Sequence, residues 1–192
     1  MGSIMPPRER AIRVAGASGG FTDRQRAILS LAKDCEVDVI VGDWMSECTM
    51  SWHGAAKKEV LSKGVPDSER VGLFDPSFMA NLTPALPYLR EKGIKVAVNA
   101  GASDTEMLAK LVAETVKKEG LNLKVAWIQG DEVMDVVKKL MNKGEKFENI
   151  CFGGNLEDWG FDPIAAQCVP VAYGPGFFRT NRDIGATLGV LV

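Results

Sequence analysis

The chain has 192 residues, of which 46% are hydrophobic and 25% are charged, and its formal net charge is -2 at pH 7. This length and composition fit one globular domain with a full hydrophobic core and exclude an intrinsically disordered chain. The small net charge excludes a bulk attraction to nucleic acid or anionic membranes, and no apolar run reaches the roughly 20 residues that cross a bilayer.

Cysteine and histidine are too sparse and too scattered for a zinc site. The four cysteines form no CxxC pair, and His53 is the single histidine. Reduced thiols in a cytosolic protein are the simplest interpretation, with a structural disulfide as the alternative. Residues 1–10 contain no hydrophobic signal core. We therefore predict a cytoplasmic protein with a disordered segment over residues 1–10, and we predict no metal and no cofactor.

Residues 11–148 repeat one pattern in chain order: an apolar stretch, a turn that contains glycine, and an amphipathic helix. The predicted strands are Ala11–Gly16, Val37–Gly42, Ile94–Val98 and Leu123–Ile128. The predicted helices are Arg24–Lys33, Glu47–Leu61, Pro76–Leu89, Ser103–Lys118 and Glu132–Asn142. Apolar strands that alternate with amphipathic helices are typical of a parallel sheet buried on both faces. We predict a Rossmann-like, doubly wound α/β fold with a mainly parallel sheet and helices on both faces.

Local signals refine two of these helices. Pro84 and Pro87 must bend or shorten the third predicted helix, because proline lacks an amide proton. Ser103 and Glu106 have the spacing of a capping box at the start of the fourth.

Residues 149–192 follow a different pattern, rich in glycine and proline and without a clear helix. The apolar end, Gly189–Val192, is unusual for a free surface, so it either adds an edge strand or packs against a neighbouring subunit. We predict that residues 149–192 pack on the domain formed by residues 11–148. A homo-oligomer through the apolar end is the alternative.

In open parallel sheets, ligands bind beyond the carboxyl ends of the strands. Each predicted strand here ends in a turn that combines glycine with a polar residue, and glycine lets the backbone approach a ligand closely. One interpretation is a shared pocket for a small-molecule substrate, and the alternative is ordinary turn and capping chemistry, or core packing for the tryptophan. The predicted substrate-binding residues are Ser18, Gly19, Gly20, Trp44, Thr49, Asn99, Gly101 and Asp131.

Three residues are predicted to be catalytic: Asp43, Glu47 and His53. If a helix begins near Asp43, the i, i+4 spacing places both carboxylates on one face, where one raises the pKa of the other and the pair can transfer protons. Gly42 would leave room for a ligand beside Asp43. The alternative is a helix cap followed by a first-turn acid. His53 either reaches the same pocket or faces solvent.

The turn Gly16–Gly20 has some features of a dinucleotide-binding loop, and Asp43 lies roughly where a ribose-binding carboxylate would follow. The glycines, however, do not give G-x-G-x-x-G in register, and no Walker lysine follows them. A nucleotide- or CoA-dependent enzyme therefore stays an alternative only.

Four motifs in order carry a family resemblance: Val14–Asp23, Val37–Met50, Gly93–Gly101 and Val125–Asp131. The most distinctive is the Gly-Asp-x-x-x-Glu-x-Thr-Met block over residues 42–50. Together they resemble the acyclic terpene utilisation AtuA family over about residues 11–135, whereas residues after about 150 match its pattern poorly. The resemblance implies an enzyme-like protein of terpenoid or acyl-CoA catabolism in bacteria and of specialised metabolism in fungi.

These observations predict a small-molecule enzyme of terpenoid-type or fungal-type secondary metabolism. It would use metal-free carboxylate acid–base chemistry on a carbonyl compound, as an isomerase, hydro-lyase or cyclase. A non-catalytic ligand-binding or accessory subunit is the second interpretation, and the nucleotide- or CoA-dependent enzyme is the third.

Overall fold

The computed structural model describes residues 10–20, 23–66, 68–128, 133–149, 151–159 and 190–191. Its strands are β1 (Val14–Ser18), β2 (Val39–Gly42), β3 (Lys95–Val98), β4 (Ala126–Trp127) and β5 (Val190–Leu191). Its helices are α1 (Ala27–Asp34), α2 (Glu47–Ser62), α3 (Pro76–Leu82), α4 (Leu86–Lys92), α5 (Thr105–Lys118) and α6 (Met134–Asn142). The predicted α/β class is confirmed. Most elements are shorter or shifted, β4 has two residues where six were predicted, and α2 ends one residue later than predicted.

The five strands form one sheet in the order β1-β2-β3-β5-β4. β1, β2 and β3 are parallel neighbours, as predicted. β5 pairs antiparallel with both β3 and β4, so β4 runs in the same direction as the first three strands without touching β3. The apolar end of the sequence therefore contributes a strand inside the sheet rather than at its edge.

The core lies between the sheet and the helices α1, α3, α4 and α5. α1 packs against α3 and α4, and α5 packs against β4 and β5. The predicted effect of the prolines is confirmed, because a 3₁₀ turn at Thr83–Ala85 divides the expected helix into α3 and α4. The largest fully buried aliphatic and aromatic side chains of this core are Ile28, Ile40, Trp44, Phe78, Leu82, Leu86, Leu89, Val96, Val98, Leu108 and Val112.

On the opposite face of the sheet, β1 and β2 carry exposed side chains. Val14 is 59% exposed and Val41 is 39% exposed, and the register places Val41 beside Gly16 and Ala97 on this face. The chain steps from β1 to β2 to β3 in one direction, and right-handed connections then place the intervening helices on a single face. The doubly wound arrangement, with helices on both faces, stays a prediction.

The starts of two helices differ from the prediction. The capping box expected from Ser103 and Glu106 is wrong, because α5 begins at Thr105 and has no side-chain cap. The capping box lies instead at α2, where Ser46 accepts from the Thr49 amide and the Thr49 hydroxyl accepts from the Ser46 amide. Within the described ranges, no helix combines the length and apolar character needed to span a membrane.

Candidate functional site

The three parallel strands end side by side. Ser18 at the end of β1 pairs with Gly42 at the end of β2, and Gly42 pairs with Val98 at the end of β3. The turns that follow these strands therefore meet at one edge of the sheet, which is the edge where we predicted a pocket from the sequence. Below, this is called the carboxyl edge.

Asp43 and Asn99 are joined at the carboxyl edge, although 56 positions separate them in sequence. The Asn99 Nδ2 donates to Asp43 Oδ1 at 2.6 Å, and the Asn99 Oδ1 accepts from the Trp44 amide at 2.6 Å. A backbone N–H can only donate, so the Trp44 amide must meet the Asn99 oxygen. The Asn99 nitrogen is therefore the atom that faces Asp43. Asp43 is exposed, and no hydrogen bond from the described residues reaches its Oδ2. One carboxylate oxygen is thus anchored while the other stays available.

The turn after β1 is held by its own side chains. The Ser18 hydroxyl lies within hydrogen-bond distance of the carbonyl of Gly20, of Asp23 Oδ1 at 3.0 Å and of the carbonyl of Asp43 at 3.1 Å. The Gly19 amide donates to Asp23 Oδ2 at 2.8 Å, and this bond is the main reason that the pKa of Asp23 lies below its ordinary value. A carboxylate of the chain therefore already occupies the anion-binding position of this turn. That arrangement disfavours a phosphate-binding loop.

Trp44 is a core residue at this edge. It is 2% exposed, its ring meets Phe78 edge-on at 5.4 Å between centroids, and its Nε1 donates to Ser77 Oγ at 3.2 Å. A Cβ on Gly42 would lie 2.0 Å from the Trp44 ring. The expectation that Gly42 leaves room for a ligand is therefore wrong, because the indole fills that room.

Two other predicted binding residues have local contacts. The Thr49 hydroxyl donates to the carbonyl of Ser46 at 3.0 Å and accepts from its amide at 2.7 Å, so it stabilises the start of α2. Gly101 lies against α5, where an added Cβ would come within 2.5 Å of the Thr105 hydroxyl. Gly20, by contrast, has no atom within 4 Å of such a Cβ.

The expected carboxylate pair does not share a helical face. α2 begins at Glu47, and Ser46 before it is extended, so Asp43 precedes the helix and the i, i+4 condition is not met. The side chain of Glu47 lies outside the described part of the structure, as does the whole of Asp131. His53 is half-buried on α2, four residues before Lys57, so the two project from the same face of the helix.

A buried ion cluster that the sequence reasoning missed lies beside these residues. Asp104 accepts two hydrogen bonds from Arg70, one of them at 2.8 Å, and both side chains are at least 96% buried. Lys57 Nζ lies 3.2 Å from Asp104 Oδ1 and also donates to the carbonyl of Ser103. Burial alone would raise the pKa of Asp104, but Arg70, the Leu73 amide and Lys57 together outweigh it and lower that pKa. We call these three side chains the Asp104 cluster.

The carboxyl edge thus offers one exposed, anchored carboxylate, a serine hydroxyl and an oriented amide. Such groups can bind and exchange protons with a polar small molecule. Among the residues that the structure describes, no three histidine, cysteine or carboxylate side chains are grouped so as to hold a metal ion.

Comparison with known proteins identifies a family for this chain. The family model described as "Acyclic terpene utilisation family protein AtuA" matches residues 12–171. The match extends beyond residue 150, so the poor agreement expected there is wrong as far as residue 171. No curated protein and no solved structure matches the chain. Because the family model covers most of the 192 residues, the chain belongs to the AtuA family, whose description indicates a role in acyclic terpene utilisation.

Proposed function

We propose that this protein is a small-molecule enzyme of terpenoid-type or fungal-type secondary metabolism that uses Asp43 as an acid–base group on a carbonyl compound. The observation that carries the proposal is the Asp43–Asn99 hydrogen bond at the carboxyl edge. It fixes one oxygen of an exposed carboxylate and leaves the other to meet a substrate. Membership of the AtuA family supports a terpenoid substrate.

In this mechanism the available Asp43 oxygen removes a proton from the carbon next to the carbonyl group. The Asp43 carboxyl, which is exposed, exchanges this proton with solvent. It then returns a proton to a different carbon in an isomerisation, or to a leaving hydroxyl group in a dehydration. Asn99 holds the carboxylate in one orientation throughout, which favours transfer to a defined position on the substrate. Glu47 and His53, which follow Asp43 along the chain, are the candidates for exchanging a second proton. Each step uses side chains alone.

Two further expectations belong to the same proposal. The enzyme would act in the cytoplasm, which the free thiols of Cys35, Cys48 and Cys151 support. Its sheet would be the Rossmann-like, doubly wound type, and the apolar Val14 and Val41 on the second face support a covering layer there.

The proposal is tested by proton exchange with solvent. The protein is incubated in D₂O with acyclic terpenoid aldehydes, ketones, acids and thioesters, and deuterium entry and product formation are followed by mass spectrometry and NMR. We expect deuterium next to the carbonyl carbon of at least one compound. Asp43→Asn should slow this exchange by about 10²–10⁴-fold, the usual contribution of a general acid–base group.

Asp38→Asn is the matched control, because Asp38 is also a hydrogen-bonded carboxylate but lies at the opposite end of β2. This variant should exchange deuterium at the wild-type rate. Equal rates in the wild type and in Asp43→Asn would refute the mechanism. Binding of a compound without any exchange or product would favour the non-catalytic ligand-binding interpretation instead.

A further inference from the structure

The turn between β3 and α5, residues 99–104, carries Asn99 at one end and Asp104 at the other. It is closed by hydrogen bonds from the Ala102 amide to the carbonyl of Asn99 at 3.3 Å and from the Asp104 amide to the carbonyl of Gly101 at 2.8 Å. Ala102 has a positive φ of 44°, a conformation that costs a residue with a side chain free energy. The turn therefore needs support from its surroundings to keep this shape.

The segment 70–77 gives that support at both ends of the turn. Arg70 and the Leu73 amide bind the Asp104 carboxylate, the latter at 2.7 Å, and the Asp75 amide donates to the carbonyl of Ala100 at 2.9 Å. Lys57, on α2, forms an ion pair with the same carboxylate. Asp104 thus accepts from three groups in two parts of the chain, segment 70–77 and α2, and so connects both to the turn.

A series of hydrogen bonds also links segment 70–77 to Asn99. Asp75 accepts from the hydroxyl of Ser77, Ser77 Oγ accepts from the indole of Trp44, and the Trp44 amide donates to Asn99. The series closes into a ring through the Asp75 bond to Ala100, the neighbour of Asn99. If segment 70–77 moved, it would displace the Asn99 side chain through Trp44 and also through Ala100.

We propose that Asp104 is a positioning residue that holds the 99–104 turn in the shape in which Asn99 meets Asp43. Arg70 and Lys57 are the cations through which it does so. Its importance for catalysis rests on the proposed function, but the positioning itself is a property of the folded protein. It can therefore be measured without any substrate.

The test is amide hydrogen exchange and ¹⁵N NMR of Asp104→Asn, which removes the charge and keeps the shape of the side chain. We expect the Trp44 amide, which donates to Asn99, to exchange at least about tenfold faster relative to the amides of β2 and β3. The chemical shifts of the two Asn99 Nδ2 protons should also become more alike, because the hydrogen bond to Asp43 that distinguishes them is lost. A purely structural role would speed the exchange of all these amides by one common factor, and that result overturns the proposal.

The matched control is again Asp38→Asn, which removes another carboxylate that accepts two bonds from one arginine, Arg10, far from the turn. It should leave the Asn99 signals unchanged, and also the exchange rate of the Trp44 amide relative to the amides of β2 and β3. If Asp104→Asn does not fold because Arg70 is left buried without a counter-charge, the double variant Asp104→Asn/Arg70→Gln replaces it. Selective loss of Trp44 protection in that variant supports the proposal, and wild-type protection overturns it. Absence of substrate turnover in the D₂O experiment would leave these exchange results intact, so the two proposals fail separately.

Discussion

Gly42 shows how a single residue shapes the carboxyl edge. The chain must place the large Trp44 ring against the end of its own strand, and only a residue without a side chain leaves that volume free. The buried ring, in turn, brings the Trp44 amide to Asn99. The glycine thus acts on the site indirectly, through packing, rather than by making space for a ligand.

We expect Gly42→Ala to lower the free energy of unfolding by about 1–3 kcal/mol, because the added methyl group would overlap the Trp44 ring and force it to move. Urea unfolding followed by circular dichroism measures the stability. Gly16→Ala is the control, since Gly16 lies on the neighbouring strand with no atom within 4 Å of an added Cβ. A Gly42→Ala variant as stable as Gly16→Ala would show that Trp44 does not depend on this glycine.

At the scale of elements, the start of α2 sets where Glu47 and His53 lie. The reciprocal bonds between Ser46 and Thr49 satisfy amides that would otherwise have no partner at the first turn. Asp43 therefore stays outside the helix, at the end of β2, and remains free to face Asn99.

Ser46→Ala should cost about 0.5–2 kcal/mol of stability, the usual effect of removing a helix N-cap. Ser46→Asp should restore most of the loss, because a carboxylate accepts from the same amide and is favoured at a helix N-terminus. Both values come from urea unfolding curves compared with the wild type. Equal stability of Ser46→Ala and Ser46→Asp would mean that the cap contributes little.

Sequence patterns predicted the elements better than the contacts between them. The apolar stretches and the prolines are local signals, and they placed β1–β4 and the break between α3 and α4 within a few residues. The Arg70–Asp104 pair joins residues 34 positions apart, and no local pattern indicates which of the chain's many charged residues will meet. Asp43 and Asn99 could be placed at one edge, because strand ends of a parallel sheet converge. Their hydrogen bond could not be predicted.

At the scale of the whole molecule, paired carboxylates make stability depend on pH. Hydrogen bonds from Arg10 and from the Arg13 amide hold the pKa of Asp38 well below its ordinary value of 3.8. Such a group stabilises the fold fully above its unfolded-state pKa and loses that contribution as pH falls through its folded-state pKa. Asp104 acts in the same direction, since its pKa is also lowered.

We therefore expect the stability difference between the wild type and Asp38→Asn to stay constant from about pH 7 to 5 and to shrink below about pH 4. Urea unfolding at a series of pH values measures it. Added salt should reduce the difference at neutral pH, because Arg10 is 55% exposed and the pair is open to screening. A difference that persists unchanged at pH 2 would mean that the ionised form of Asp38 is not what stabilises the fold.

The position of β5 has a consequence for the newly made chain. Among the described residues, β3 and β4 are joined through Val190 and Leu191, which follow β3 by about ninety residues. At the usual rate of about 5–20 residues per second, β3 leaves the ribosome roughly 5–20 seconds before its partner. During that interval its edge presents unpaired backbone groups to any other extended chain. The β3 edge is therefore open to mispairing with another strand during that interval.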